Sequence, residues 1–211
     1  PSVLTAEALR ADRKPTTNLT AYDLCLRATP VVNRVPDVAA FFKAREQLHQ
    51  ALDLDPHYVH AKGLLCGLHI SALSVRAITF AEARSCLPLA EDILSDDRIT
   101  DPQAICDAGF ALAYFGGQQQ RGVSALRRAV AANPNSFLVL LTSGWVHCYV
   151  GENAIAEEHF LRAIRLNPID PNIGASRTGL ADLMHLRGDY EAAIQMLERA
   201  KAEQPGFFST L

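Results

Sequence analysis

NPNSFLVLLTSGWVHCYVGENAIAEEHFLRAIRLNP, residues 133–168, is the stretch whose reading decides the fold. Two apolar-periodic segments flank Gly151-Glu152-Asn153, a turn signature, and an Asn-Pro closes each end. Apolar residues three and four apart place one stripe on each helix, and proline stops the second helix of each pair. Pro134 and Pro168 lie 34 positions apart. A helical hairpin of that pitch cannot bury its own apolar face, so it must stack on copies of itself, and the pattern has to recur.

It does recur. Upstream, PQAICDAGFALAYF leads through Gly116-Gly117 into QQQRGVSALRRAVAANP, giving a unit over residues 102–134. Downstream, residues 169–205 carry IDPNIGASRTGLADLMHLRGDYEAAIQMLERAKAEQP with Gly188-Asp189 as the turn; Pro168 to Pro205 is 37 positions because residues 169–173 add half a turn. The tetratricopeptide pattern is W-x2-L-G-x2-Y, then A-x3-F, then P. Residues 135–168 meet it with Leu140, Ser143, Gly144, His147, Ala156, Phe160 and Pro168. The preceding unit offers Ile105, Ala108, Gly109, Leu112, Gly122, Leu126 and Pro134; the following one offers Arg177, Leu180, Ala181, Met184, Ala193, Leu197 and Pro205. Small residues such as Gly144 and Ala156 let two helices approach, and a large one, Phe160 or Leu197, fills the wedge to the next unit.

Two degenerate units precede these. In residues 18–56, Asn18-Leu19-Thr20 offers caps for a helix over AYDLCLRAT with Leu19, Tyr22, Leu26 and Ala28 on one face. Pro30 and Pro36 bracket a loop, and a second helix from about Asp37 to Leu54 carries Phe41, Ala44, Leu48, Ala51 and Leu54 on one stripe. In residues 57–101, HYVHAKGLLCGLHISALSV is the first helix, and Phe80 to Leu94 the second, with Ala83, Leu87 and Ala90 facing inward. Pro88 predicts a kink there, and residues 95–101 form a long connection. Residues 1–17 read as a lead-in, without an initiator Met, from an upstream part, and residues 206–211 as the start of a further helix. The expectation is an all-α, right-handed α-solenoid of roughly ten helices over residues 18–211, resembling the tetratricopeptide repeat family.

Composition narrows function. A net charge of −3 opposes a phosphate-binding face, so no direct nucleic-acid binding is expected. No apolar run reaches the ~20 residues of a membrane span. The five cysteines are odd in number and form no CxxC pair, which reads as free buried thiols in a reducing cytoplasm. His57 and His60 lack a third ligand, Glu158-His159 lacks the second His of HExxH, and Gly116-Gly117 lacks the Lys-Ser/Thr of a phosphate loop. Asp96, Asp97 and Asp101 lack calcium-loop spacing and read as a solvated connection. Cys148 beside His147 is a poor catalytic pair, since helical neighbours point about 100° apart. No catalytic residue, cofactor or metal is therefore assigned, and the chain is not expected to be an enzyme.

The first helices of such stacks line a concave side. In the unit of residues 135–168 that face carries Leu138, Leu141, Trp145, Cys148 and Tyr149; the equivalents upstream are Gln103, Cys106, Phe110, Ala113 and Tyr114, and downstream Ala175, Thr178, Asp182, His185 and Leu186. Phe110 pairs with Trp145, and Tyr114 with Tyr149, by equivalent position. These rings either anchor a peptide in the groove or fill the inter-repeat core. The candidate peptide-binding residues are Gln103, Phe110, Tyr114, Leu138, Leu141, Trp145 and Tyr149, with Asp182 and His185 as the polar end.

Residues 14–30, KPTTNLTAYDLCLRATP, and residues 107–151, with AGFALAYFGG and SGWVHCYVG, resemble the C-terminal repeat region of bacterial signalling regulators. Those regulators join a class III adenylate/guanylate cyclase domain, or a winged-helix DNA-binding domain, to such repeats. The resemblance implies a protein-interaction module that binds a partner peptide or its own upstream domain, with the cyclase chemistry upstream. The alternative is a self-association module whose apolar end, Phe207-Phe208-Leu211, dimerises the upstream domains.

Overall fold

The computed structural model describes residues 18–33 and 38–203. Those residues form helices joined by turns. The helices are α1 (Leu19–Val32), α2 (Val38–Leu54), α3 (Val59–Ser74), α4 (Phe80–Ala83), α5 (Leu87–Ser95), α6 (Pro102–Phe110), α7 (Gln119–Ala132), α8 (Phe137–Tyr149), α9 (Asn153–Leu166), α10 (Ile173–Leu186) and α11 (Tyr190–Glu203). A 3₁₀ turn, Arg84–Cys86, joins α4 to α5, so the two make one broken helix and the stack reads as five antiparallel pairs.

Local chemistry sets the boundaries. The Asn18 side chain accepts from the Thr20 and Ala21 amides at 3.1 and 3.3 Å and starts α1. Thr79 and Glu82 close a capping box on α4. Asp101 caps α6, with Pro102 at its first turn. Pro88 stands in the first turn of α5, just past the 3₁₀ break. The expected kink thus takes the form of a restart, because a proline tolerated in a first turn sacrifices no hydrogen bond.

The first unit departs from expectation. Pro30 lies inside α1 rather than in a loop. Only the bond to the preceding turn is lost, and Asn33 still donates to the Thr29 carbonyl at 3.0 Å. The buried face of α1 is Ala21, Cys25, Ala28 and Val32, whereas Leu19 and Leu26 face solvent. Small residues win that face because α1 lies close against α2. In α2 the stripe Phe41, Ala44, Leu48 and Ala51 is buried, but Leu54 is exposed beyond the last contact. The lead-in over residues 1–17, Pro36, Asp37 and residues 206–211 lie outside the described residues.

The wedge between the last two units is Phe160. Its fully buried ring sits between α8 and α10, where a Cβ on Gly144 would lie 2.6 Å, and one on Gly179 2.3 Å, from ring carbons. Leu197, expected to do the same in the next unit, is 36 % exposed, since α11 packs chiefly on α10. The cysteines are free; Cys25, Cys66, Cys86 and Cys106 are buried and Cys148 is partly so. Burial pushes the Cys25 thiol up to about 12, which suppresses its thiolate and makes that sulfur a packing atom.

Candidate functional site

All five first helices of the pairs converge on one cavity of about 320 Å³. Val32 and Asn33 come from the end of α1, Gly67 to Ser74 from α3, Gln103 to Phe110 from α6, Leu138 to Tyr149 from α8, and Asn172 and Ala175 from the start of α10. The wall closes where the Asn172 side chain donates to the Asn33 carbonyl at 2.7 Å, a contact between the first pair and the last.

The aromatic part of the wall is built by two adjacent units. Past Phe110 the chain runs through a π-helical turn, Ala111–Phe115, with the Gly116 amide donating to the Ala111 carbonyl at 3.1 Å. The wider turn directs Tyr114 across to α8, where it stacks on Tyr149 at 4.6 Å between centroids. Phe110 meets Tyr114 at 5.5 Å and Tyr149 at 5.9 Å, and Trp145 meets Tyr149 at 5.7 Å and Phe160 at 5.6 Å. The tyrosines pair as their equivalent positions suggest. Phe110 and Trp145 do not pair directly; each meets Tyr149, which stands between them. Phe110 and Trp145 are buried into the wall, while Tyr114 and Tyr149 stay 40 % and 42 % exposed at its lip.

Seven of the residues singled out from sequence line this cavity: Gln103, Phe110, Tyr114, Leu138, Leu141, Trp145 and Tyr149. Asp182 and His185 do not, for only the first turn of α10 reaches the cavity. His185 is exposed against the Tyr190 ring at 5.3 Å. Asp182 lies just beyond the lip, where burial lifts its carboxyl to about 6; burial raises the Tyr149 hydroxyl and Cys148 thiol, and the Asp182 charge adds a smaller push in the same direction. Cys106 and Thr178, expected on the same face, are buried in the stack; their side chains bond the Val139 and Gly174 carbonyls.

Sequence reasoning missed Asp107. It sits in the cavity wall only 4 % exposed, and the Gln103 amide donates to it at 2.9 Å. Burial pushes its carboxyl up to about 8, and the charge of another acid, Asp101, acts in the same direction. An acid within an otherwise small and apolar helical stretch was the available signal. Asp101 itself is no solvated linker residue: it caps α6 and pairs with His60 at 3.0 Å. Asp96 and Asp97 are surface groups paired with Arg98 and Arg128. His147 turns to Glu152 at 2.6 Å rather than to Cys148. Among the described residues no group of three His, Cys, Asp or Glu side chains is placed to hold a metal ion, and no helix is long and apolar enough to cross a membrane.

A family model, the tetratricopeptide repeat, matches residues 141–206, the last two units. No curated protein matches the chain in sequence. Among solved structures, the fold is similar to TTC0263, a thermophilic tetratricopeptide protein of Thermus thermophilus, with TM-score 0.62 and 17 % identity over 88 % of this chain and 92 % of that one. It is also similar to PilF of Pseudomonas aeruginosa, with TM-score 0.53 and 20 % identity over 86 % of this chain and 77 % of that one. At such identities the likeness is one of fold: an all-helical solenoid of tetratricopeptide type.

Proposed function

We propose that the chain is a protein-interaction and regulatory module that holds a segment of a partner protein, or of another domain of its own chain, against the concave aromatic wall. The observation that carries this reading is the convergence of five first helices on one cavity whose lip is a half-exposed tyrosine stack. Paired aromatics over a concave surface supply rigid contact area at low entropic cost, the usual composition of an interface hot spot. The role is binding rather than catalysis, with no cofactor, and the compartment is cytoplasmic.

The test is capture of partners from the native lysate with the chain and with a folded Trp145→Ala variant. A partner held by the cavity loses about 30-fold or more in affinity in the variant, the effect of one hot-spot anchor. Equal capture by both proteins overturns the groove assignment.

The resemblance of residues 14–30 and 107–151 to the repeat regions of bacterial signalling regulators supports a larger role, in which the repeats report to an upstream cyclase or winged-helix domain. A second reading is self-association. It is favoured by the exposed apolar face of α11, formed by Tyr190, Ile194 and Leu197. A mass that rises with concentration in sedimentation, and that Ile194→Lys holds at the monomer value, selects it; a mass independent of concentration rejects it.

A further inference from the structure

We infer that the cavity selects a basic residue, a lysine or arginine of the bound segment, whose charge seats against Asp107 beside the aromatic wall. The inference rests on the groove reading above and supplies the chemistry of the residue that the groove takes.

Asp107 lines the cavity with Gln103 as its hydrogen-bond donor and an acid, Asp101, as its charged neighbour. Asp101 is already engaged by His60 and by two amides at the start of α6. A buried acid without a cation weakens the fold, and a packed neutral residue would serve the stack better. A ligand bringing a cation removes that penalty. The surrounding wall suits the same guest. Phe110, Tyr114, Trp145 and Tyr149 line the cavity as one connected set of rings, and aromatic rings attract ammonium and guanidinium groups. Beyond the lip, Asp182 adds a second acid near Tyr149. Arg76 lines the cavity too, but its side chain is exposed at the rim, where solvent screens it. About 320 Å³ has room for one long side chain rather than for a whole helix.

Trp145 is the chain's single tryptophan, so its fluorescence reports occupancy of the cavity. The probes are pools of acetylated, amidated nonapeptides, degenerate in Ala, Leu and Ser, with lysine, arginine, norleucine or glutamate at the centre. They are titrated into the full chain and into Asp107→Asn, with peptide anisotropy giving affinity. Lysine and arginine pools are expected to bind about ten-fold or more tighter than the norleucine pool. In Asp107→Asn that advantage should collapse while norleucine binding holds. Asparagine can replace a neutral carboxylic acid as a hydrogen-bond partner, but not a carboxylate as a counter-ion, so the variant isolates the charge. The lysine–norleucine comparison on the unmodified chain needs no variant to fold. Equal binding of lysine and norleucine pools, or an advantage that survives Asp107→Asn, overturns the inference while the Trp145 response keeps the groove reading. If no pool perturbs Trp145, both fall.

Discussion

Asp107 concentrates the conflict between stability and binding at a single residue. Its folded carboxyl keeps the proton to about pH 8, whereas the unfolded one loses it near 3.8. The folded state therefore holds more protons between those values, and stability is full below pH 4 and withdrawn as pH rises toward 8. At about 1.4 kcal/mol per pH unit of displacement the loss reaches a few kcal/mol. Asp107→Asn should consequently be more stable than the parent at pH 8.5, by about 2 kcal/mol or more, and show a flatter stability profile between pH 5 and 8. Urea melts across that range check it; identical profiles would mean that Asp107 does not titrate as described. His147 and His159 act in the opposite direction. Burial lowers both, and their rings lie 5.6 Å apart. Their folded states resist protonation, so stability is lost as pH falls below about 6.5. Replacing His159 with Gln should soften that acid loss by about 1 kcal/mol, measured by thermal melts at pH 5 and 7. Tyr114, Trp145 and Tyr149 were legible in the sequence because they repeat at equivalent positions. Asp107 was not, because its neighbours Gly67 and Gln103 come to it from another helix and from the preceding turn of its own.

At the scale of elements, the repeat pattern predicts helices well and their irregularities poorly. Pro88 is consistent with a break in the second pair, yet whether the chain kinks or restarts depends on the 3₁₀ turn at Arg84–Cys86. Pro30 shows the reverse: proline in a last turn costs one hydrogen bond, and packing of Ala28 and Val32 keeps the helix intact. The π turn at Ala111–Phe115 has no sequence signature, yet it aims Tyr114 at Tyr149. The wedge around Phe160 makes a sharper prediction. Gly179→Ala would place a methyl within 2.3 Å of the ring. It should destabilise the chain by about 1–3 kcal/mol through overpacking, and pairing it with Phe160→Leu should recover part of that loss. Additive losses in chemical denaturation would show that the two sites are not in contact.

At the scale of the whole molecule, the stack curves until its first and last pairs touch. Asn172 to Asn33 is one hydrogen bond, worth about 1 kcal/mol net, but it shuts one side of the cavity. Asn172→Ala should cost about that much stability and speed hydrogen exchange at the start of α10 while sparing the α6–α8 interface. Unchanged exchange at Ile173 to Ala175 would count against the closure. What the sequence alone determined is the architecture: a pitch near 34 residues, turns at Gly117, Gly151 and Gly188, and small–large alternation dictate stacked helical hairpins, since each is a local pattern of period and volume. The same periodicity picked out seven of the residues that line the cavity, though not Asp107, and added Asp182 and His185, which do not line it. Only the tertiary structure decided how wide the concave side is, that its rings form one wall of a single cavity, and that an acid stands within it. Those properties follow from small rotations summed over five units and from one π turn, and they bring together residues as far apart as Asn33 and Asn172, whose proximity no local pattern encodes.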